Sequence, residues 1–264
     1  MCSGGRLNLI HSTAIIDSHA ELADNVSIGP FSVIGADVTI DSGTVIGPHA
    51  VIKGPTSIGK DNRIYQFASI GDDPQDKKYA AEVTRLEIGD RNTIREFTSM
   101  HRGTQQDHGV TKIGSDNLFM AYTHVAHDCI IGDHVIMANG ASLAGHVRLN
   151  SYAILGGFTL VHQFTQVGQH SFAAMGSAIT QDIPPFIMVG GKPTRPHGIN
   201  SVGMERNGIS PEDIRLIRNA YKLIYKMNLR LEDAIEKMEE MAGESEQVAG
   251  MISFLRNVNR GILR

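Results

Sequence analysis

An aliphatic residue stands at every sixth position over long stretches of this chain, and that interval excludes most folds. The series runs Ile10, Ile16, Leu22, Ile28, Ile34, Ile40, Ile46, Ile52, Ile58, Ile64 and Ile70, and returns at Ile88, Ile94 and Met100. It then holds without a gap through Ile113, Phe119, Val125, Ile131, Met137, Leu143, Leu149, Leu155, Val161, Val167, Ala173 and Ile179. An amphipathic helix repeats every 3.6 residues and a half-buried strand every two. A period of six fits a short strand plus a turn, with three repeats closing a triangular coil of about 18 residues, the signature of a parallel β-helix.

The residue two before most rungs is small or β-branched, as at Ala14, Val26, Val38, Thr44, Thr111, Val135, Ala153 and Ser177. A small and an aliphatic side chain, two apart, therefore point inward together. Glycine often follows the rung (Gly29, Gly35, Gly47, Gly59, Gly89, Gly114, Gly132, Gly156, Gly168) and is expected to take turn conformations that a Cβ disfavours. The pattern predicts about nine coils and about 40 Å of solenoid at ~4.8 Å per coil.

Two lapses interrupt the ladder. Residues 71–87 are charged and carry Asp76 and Glu82 where rungs would fall; residues 101–112 separate Met100 from Ile113. Both read as excursions from the scaffold, where binding residues tend to be placed. The predicted organisation is an all-β solenoid over residues 1–190, opened by a short lead-in, then a linker and C-terminal α-helical domain over 191–264. The Pro/Gly-rich stretch after Ile179 continues neither ladder nor helix. Ser210-Pro211-Glu212-Asp213 then supplies an N-cap, a proline at the first helical position and an acidic first turn. Ile214, Ile217, Tyr221 and Ile224 make one apolar face; Leu231, Ala234, Ile235, Met238 and Met241 a second; Val248, Met251, Ile252 and Leu255 a third.

Charged residues are 20% of the 264 and the net charge is −4, which indicates no overall nucleic-acid-binding surface. Cys2 and Cys129 give no disulfide framework, and Cys129 falls in a small inward slot. No signal-peptide pattern and no apolar run of membrane-spanning length are visible, so a cytoplasmic protein is expected.

Residues 18 apart stack on successive coils. His127, Gly145 and Gln163 form one corner column, Asp128, His146 and Phe164 the next, and Ala126, Ala144 and His162 a third; His124 points outward nearby. An imidazole beside a glycine suits general-base chemistry, because the glycine leaves room for a carbonyl and its N–H can donate to an oxyanion. No serine or cysteine nucleophile stands next to His127, which favours direct attack by a substrate hydroxyl. Zinc held by histidines of adjacent coils across a subunit boundary, as in trimeric β-helix carbonic anhydrases, is the metal alternative. His124 points outward and His127 sits at the turn, so no metal site is expected.

At His124-Val-Ala-His127-Asp128-Cys129 the sequence resembles the acyl-ACP–UDP-N-acetylglucosamine O-acyltransferases of lipid A biosynthesis. The likeness extends through QDKKYA at 75–80, REFTSMHRGT at 95–104, IGSDNLFMAYTHVAHDC at 113–129, LAGHV at 143–147, VHQF at 161–164, RNAYKLIY at 218–225 and the terminal RGILR. It implies a homotrimer of left-handed parallel β-helices with active sites between subunits. It also implies transfer of a 3-hydroxyacyl chain from acyl carrier protein to the glucosamine 3-hydroxyl of UDP-N-acetylglucosamine. No cofactor is implied beyond the phosphopantetheine that carries the donor.

By motif, His127 is the general base, Asp128 its orienting partner and Gly145 the oxyanion donor. Asp76 and Lys78 would meet the sugar and nucleotide, and His124, His146, His162 and Gln163 would line the sugar and acyl cleft. Asn200 and Arg206 would touch the nucleotide. The chain departs from the family's Asn-x-Glu-Gly and following basic residues, with Val202 in the glutamate's place and Asn207 where a cation is usual. Met175 occupies the position that limits the acyl pocket, which predicts a medium-length acyl preference. The alternatives are an acyltransferase for a different amino-sugar nucleotide, the pathway's later N-acyltransferase, and a β-helix scaffold without activity.

Overall fold

A computed structural model describes residues 9–243, 245–258 and 260–264. The lead-in before Leu9, with Cys2, lies outside the described residues. From Leu9 to Ile179, strands of two to four residues alternate with turns and stack in parallel into three faces, a left-handed parallel β-helix. The register is the 18-residue step: Ile10 opposite Ile28, Ile16 opposite Ile34, Leu22 opposite Ile40.

The rungs point into the triangular core. From Ile28 to Ile179 each is buried, and Ile34, Ile40, Ile52, Ile70, Ile94 and Leu155 are almost wholly so. Burying an aliphatic side chain of this size contributes about 1.5–3 kcal/mol, so the ladder is the main source of stability. The small inward slots are filled by Val26, Ala50, Ala68, Cys129, Val135, Ala141 and Ala153. Burial pushes the Cys129 thiol up to about 12, so it packs as an uncharged group.

One inward column is polar. Asn62 Oδ1 accepts the Asn92 N–H at 2.8 Å, Asn92 Oδ1 accepts the Asn117 N–H at 3.0 Å, and Asn117 Oδ1 accepts the Val135 N–H at 2.6 Å. Each amide thus satisfies a buried N–H of the coil above it.

The glycines after the rungs serve a purpose other than the expected one. Only Gly71, after Ile70, has a left-handed φ, of 75°; otherwise that conformation belongs to corner residues such as Phe31, His49, Phe67, Phe97, Asp128 and His146. The other rung glycines, Gly35 excepted, are required by close approach. A Cβ on Gly29 would come 2.7 Å from Pro48 N, and one on Gly168 would come 2.3 Å from Pro185 N.

Both excursions are shorter than the sequence pattern suggested, because their ends pair as strands. The chain stays in the coil through Asp72 and re-enters at Arg85, with Leu86 opposite Thr56. It leaves again after His101, which pairs with Asp72 across a register shift, and returns at Val110 opposite Arg85. After the coil, Ile187–Gly190 and Arg195–Ile199 form an antiparallel hairpin over its end.

Four helices follow: α1 (Ser201–Arg206), α2 (Pro211–Tyr225), α3 (Leu231–Ala242) and α4 (Glu246–Arg256). Ser210 caps α2 by accepting the Asp213 N–H at 3.0 Å, and Pro211 occupies the first helical position. The expected apolar faces of α2 and α4 are buried, joined on α2 by Ala220, while on α3 only Ala234 and Met238 are fully buried. Gln166 donates to Asn257 O at 3.3 Å and Gln169 to Gln247 Oε1 at 3.4 Å, tying the helices to the last coils. No helix of the described residues is long and apolar enough to cross a membrane.

Candidate active site

The corner that follows the strands His124–Val125, Ser142–Leu143 and Leu160–Val161 carries the histidine columns. Its second position is left-handed in three successive coils, at Asp128 (φ 59°), His146 (φ 63°) and Phe164 (φ 63°). The His146 ring stacks on Phe164 with centroids 4.3 Å apart, and the His127 ring stands edge-on to His146 at 5.1 Å. The columns therefore align as the 18-residue spacing predicts.

His127 Nδ1 lies 2.8 Å from Asp128 Oδ2. The same carboxylate accepts the Thr104 N–H at 2.8 Å and the Thr104 hydroxyl at 2.7 Å, while the Asp128 N–H donates to Thr111 Oγ1 at 2.8 Å. Burial works to raise the Asp128 pKa, but the hydrogen bonds from His127 and Thr104 outweigh it and hold the carboxyl below the usual range. An ionised carboxylate only accepts, so the proton sits on His127 Nδ1 and Nε2 keeps its lone pair.

That lone pair lies over the next coil. A Cβ on Gly145 would come 2.6 Å from His127 Cε1 and 2.8 Å from Nε2, so only glycine lets the imidazole rest there. The Gly145 N–H donates to no described residue. A base nitrogen and an unengaged amide N–H thus share one corner.

His124 lies on the adjoining face, with Nδ1 2.8 Å from Ser99 Oγ and its ring edge-on to His101 at 5.1 Å. Burial, and then repulsion from His101 and His127, push it down to about 4. His101 is also held low by burial, against the pull of Asp72. His124 is therefore a neutral hydrogen-bonding group at neutral pH. His162 sits higher on the corner, exposed, with Nδ1 3.1 Å from Gln163 O, and Gln163 is exposed beside it.

The excursions reach this corner through side chains. Arg102, at the root of the second, has a buried guanidinium that donates to Gly71 O at 2.5 Å, to the Asp73 carboxylate and to Tyr79 Oη at 3.0 Å. The first excursion, with Asp76 and Lys78, is thereby strapped to the second; Asp76 Oδ1 accepts the Lys78 N–H at 3.0 Å, and Lys78 is exposed. Asp107, at the tip of the second, lies 2.9 Å from His146 Nδ1.

Three sequence candidates do not join the cluster within one chain. Met175 stands at a different corner, in the column of Asn139 and Gly157, and is 78% exposed. Asn200 is the N-cap of α1, its Oδ1 accepting the Gly203 N–H at 3.1 Å and its Nδ2 donating to His170 O at 2.9 Å. Arg206 ends α1, exposed. Conversely, Ser99, His101, Arg102, Thr104 and Asp107 contact the site and were not singled out from sequence, although all but Asp107 fall within the stretch REFTSMHRGT.

A family model described as UDP-N-acetylglucosamine O-acyltransferase, domain 2, matches residues 182–263, and bacterial transferase hexapeptide repeats match 19–54 and 111–145. The acyl-[acyl-carrier-protein]–UDP-N-acetylglucosamine O-acyltransferase of Herminiimonas arsenicoxydans is 52% identical, covering 98% of this chain and 100% of that protein. The enzyme of the same description from Halorhodospira halophila is 56% identical, over 97% of this chain and 99% of its own. The solved UDP-N-acetylglucosamine acyltransferase of Francisella novicida superposes with a TM-score of 0.94 at 42% identity, covering 97% of this chain and 94% of that one.

Proposed function

The chain belongs to the UDP-N-acetylglucosamine O-acyltransferase family and moves an acyl group from acyl carrier protein to UDP-N-acetylglucosamine, the first step of lipid A synthesis; from that premise we propose that His127 is its general base and Gly145 its oxyanion donor. One observation carries this reading. Nδ1 of His127 is tied to a buried, ionised Asp128, while Nε2 faces the glycine whose N–H has no partner among the described residues.

The glucosamine 3-hydroxyl attacks the thioester carbonyl directly as His127 Nε2 takes its proton. The Gly145 N–H donates to the oxyanion of the tetrahedral intermediate. Collapse breaks the C–S bond, and the imidazolium returns the proton to the departing thiolate of the carrier's phosphopantetheine. Asp128 stabilises the imidazolium that exists between the two transfers. No acyl-enzyme forms and no resident cofactor takes part.

The cleft belongs to a cytoplasmic homotrimer, in which a neighbouring subunit completes the site. His124, His146, His162 and Gln163 line the sugar and acyl cleft. Asp76, Lys78, Asn200 and Arg206 meet the sugar and nucleotide, and Val202 and Asn207 modify the nucleotide contact. The donor is a 3-hydroxyacyl chain, and Met175 shortens its pocket. The test is acyl transfer to UDP-N-acetylglucosamine from 3-hydroxyacyl carrier proteins of several chain lengths, with wild type and His127→Ala side by side. Turnover should peak at medium length and fall about 10²–10⁴-fold in the variant. A variant with near-normal turnover removes His127 from the mechanism, and highest turnover with the longest chains removes Met175 from length selection.

A further inference from the structure

His127, Asp128 and His146 are also arranged as metal donors. One nitrogen from each imidazole and one carboxylate oxygen of Asp128 lie within 4.8 Å of one another. The same oxygen, Asp128 Oδ2, is 2.8 Å from His127 Nδ1 and 4.0 Å from His146 Nδ1. Donors around a tetrahedral zinc, at bonds of 2.0–2.2 Å, stand roughly 3.3–3.5 Å apart. The two observed separations bracket that value, and the perpendicular rings reach the oxygen from different directions.

Asp107 Oδ2 sits 2.9 Å from His146 Nδ1 and brings a second carboxylate to the group. Asp128 is held in place by Thr104, and the coil fixes the backbone of all three donors. A cavity of about 600 Å³ touches Asp107, Asp128 and His146 and gives a hydrated ion a way in, past Arg148 and Arg256, which also line it. Two imidazoles with carboxylate suit zinc, cobalt, nickel or copper; magnesium and calcium prefer oxygen alone.

We propose that a first-row transition dication, zinc foremost, binds His127, Asp128 and His146 beside Asp107, and that its binding inhibits acyl transfer. Binding at Nδ1 displaces the proton there, and the imidazole, which stays neutral, carries its proton on Nε2 instead. A protonated Nε2 has no lone pair left to accept the hydroxyl proton. The inhibitory half rests on His127 acting as the base; the binding half does not.

The test titrates Co²⁺, as a visible reporter, into tag-free protein, with Zn²⁺ displacing it and turnover followed in parallel. Wild type should take up one Co²⁺ per chain with the strong visible absorption of tetrahedral coordination. Turnover should fall in step with occupancy and return with chelator. Asp107→Asn should weaken binding about tenfold or more, and His146→Ala should remove it. Absence of uptake, or uptake unchanged in both variants, overturns the site. Stoichiometric uptake at full turnover overturns the inhibition. If His127→Ala keeps turnover while wild type still binds Co²⁺, the base reading fails and the metal site stands.

Discussion

The coil and its two excursions build the same corner by different means. In the coil, position comes from backbone: inward rungs, corner residues with left-handed φ, and glycines where two coils nearly touch. In the excursions, position comes from side chains, chiefly the Arg102 strap and the bonds of Thr104 and Asp107 to Asp128 and His146. Backbone placement is stiff and hard to adjust. Side-chain placement is adjustable and can be removed one group at a time.

The contrast is broken most severely at Gly145. In Gly145→Ala the new Cβ would press on the His127 ring rather than on backbone, so the ring gives way and the coil stays intact. Displacing the base by about 1 Å should lower kcat about 100-fold, with circular dichroism and oligomeric state unchanged. Loss of the folded protein, or turnover close to wild type, would show that this corner is not set by the close contact.

On the excursion side, Arg102→Met removes the strap and should leave the coil stable. The expected result is a KM for the nucleotide sugar raised about tenfold, near 1.4 kcal/mol, with kcat changed far less. An equal fall in kcat would mean that the strap serves the reacting corner itself. Arg102→Lys should recover little, because an ammonium cannot reproduce the fork to Gly71, Asp73 and Tyr79.

A test that leaves turnover aside sharpens the comparison where the two regions meet, at His124. Its folded pKa, about 4, lies below the roughly 6.5 of an unfolded histidine. Between these values the unfolded chain binds the extra proton, so stability rises with pH, by at most about 1.4 kcal/mol per pH unit from this group. Stability from His124 is thus full above about pH 6.5 and is lost as pH falls toward 4. Urea unfolding from pH 7 to pH 4.5 should show this loss, and His124→Asn should flatten it. Identical slopes in both proteins would contradict the burial of the neutral ring.

How much was legible in the sequence divides along the same line. The period gave the rungs, the columns and the pairing of His127 with Gly145, because a fixed step converts sequence number into height and corner. Thr104 and Asp107 escaped that arithmetic. They reach Asp128 and His146 across 24 and 39 residues, from segments where the step is suspended. The glycines after the rungs were legible as special residues, but their reason was not: crowding by the neighbouring coil is a tertiary fact, invisible to local turn preferences. Asn200 was singled out by motif alone; the period says nothing of its amide, which within the chain caps a helix and donates to His170 O.

The excursions leave and rejoin a stack whose neighbouring strands continue in register on both sides. Their ends are therefore held at a nearly fixed separation whatever length lies between. Doubling such a loop costs only about 0.6 kcal/mol in closure entropy, small beside a single buried rung. The scaffold behaves like a spool on which loops can be lengthened, shortened or exchanged without rewinding the thread. Substrate preference can in this way drift in the loops while the reacting corner keeps its place.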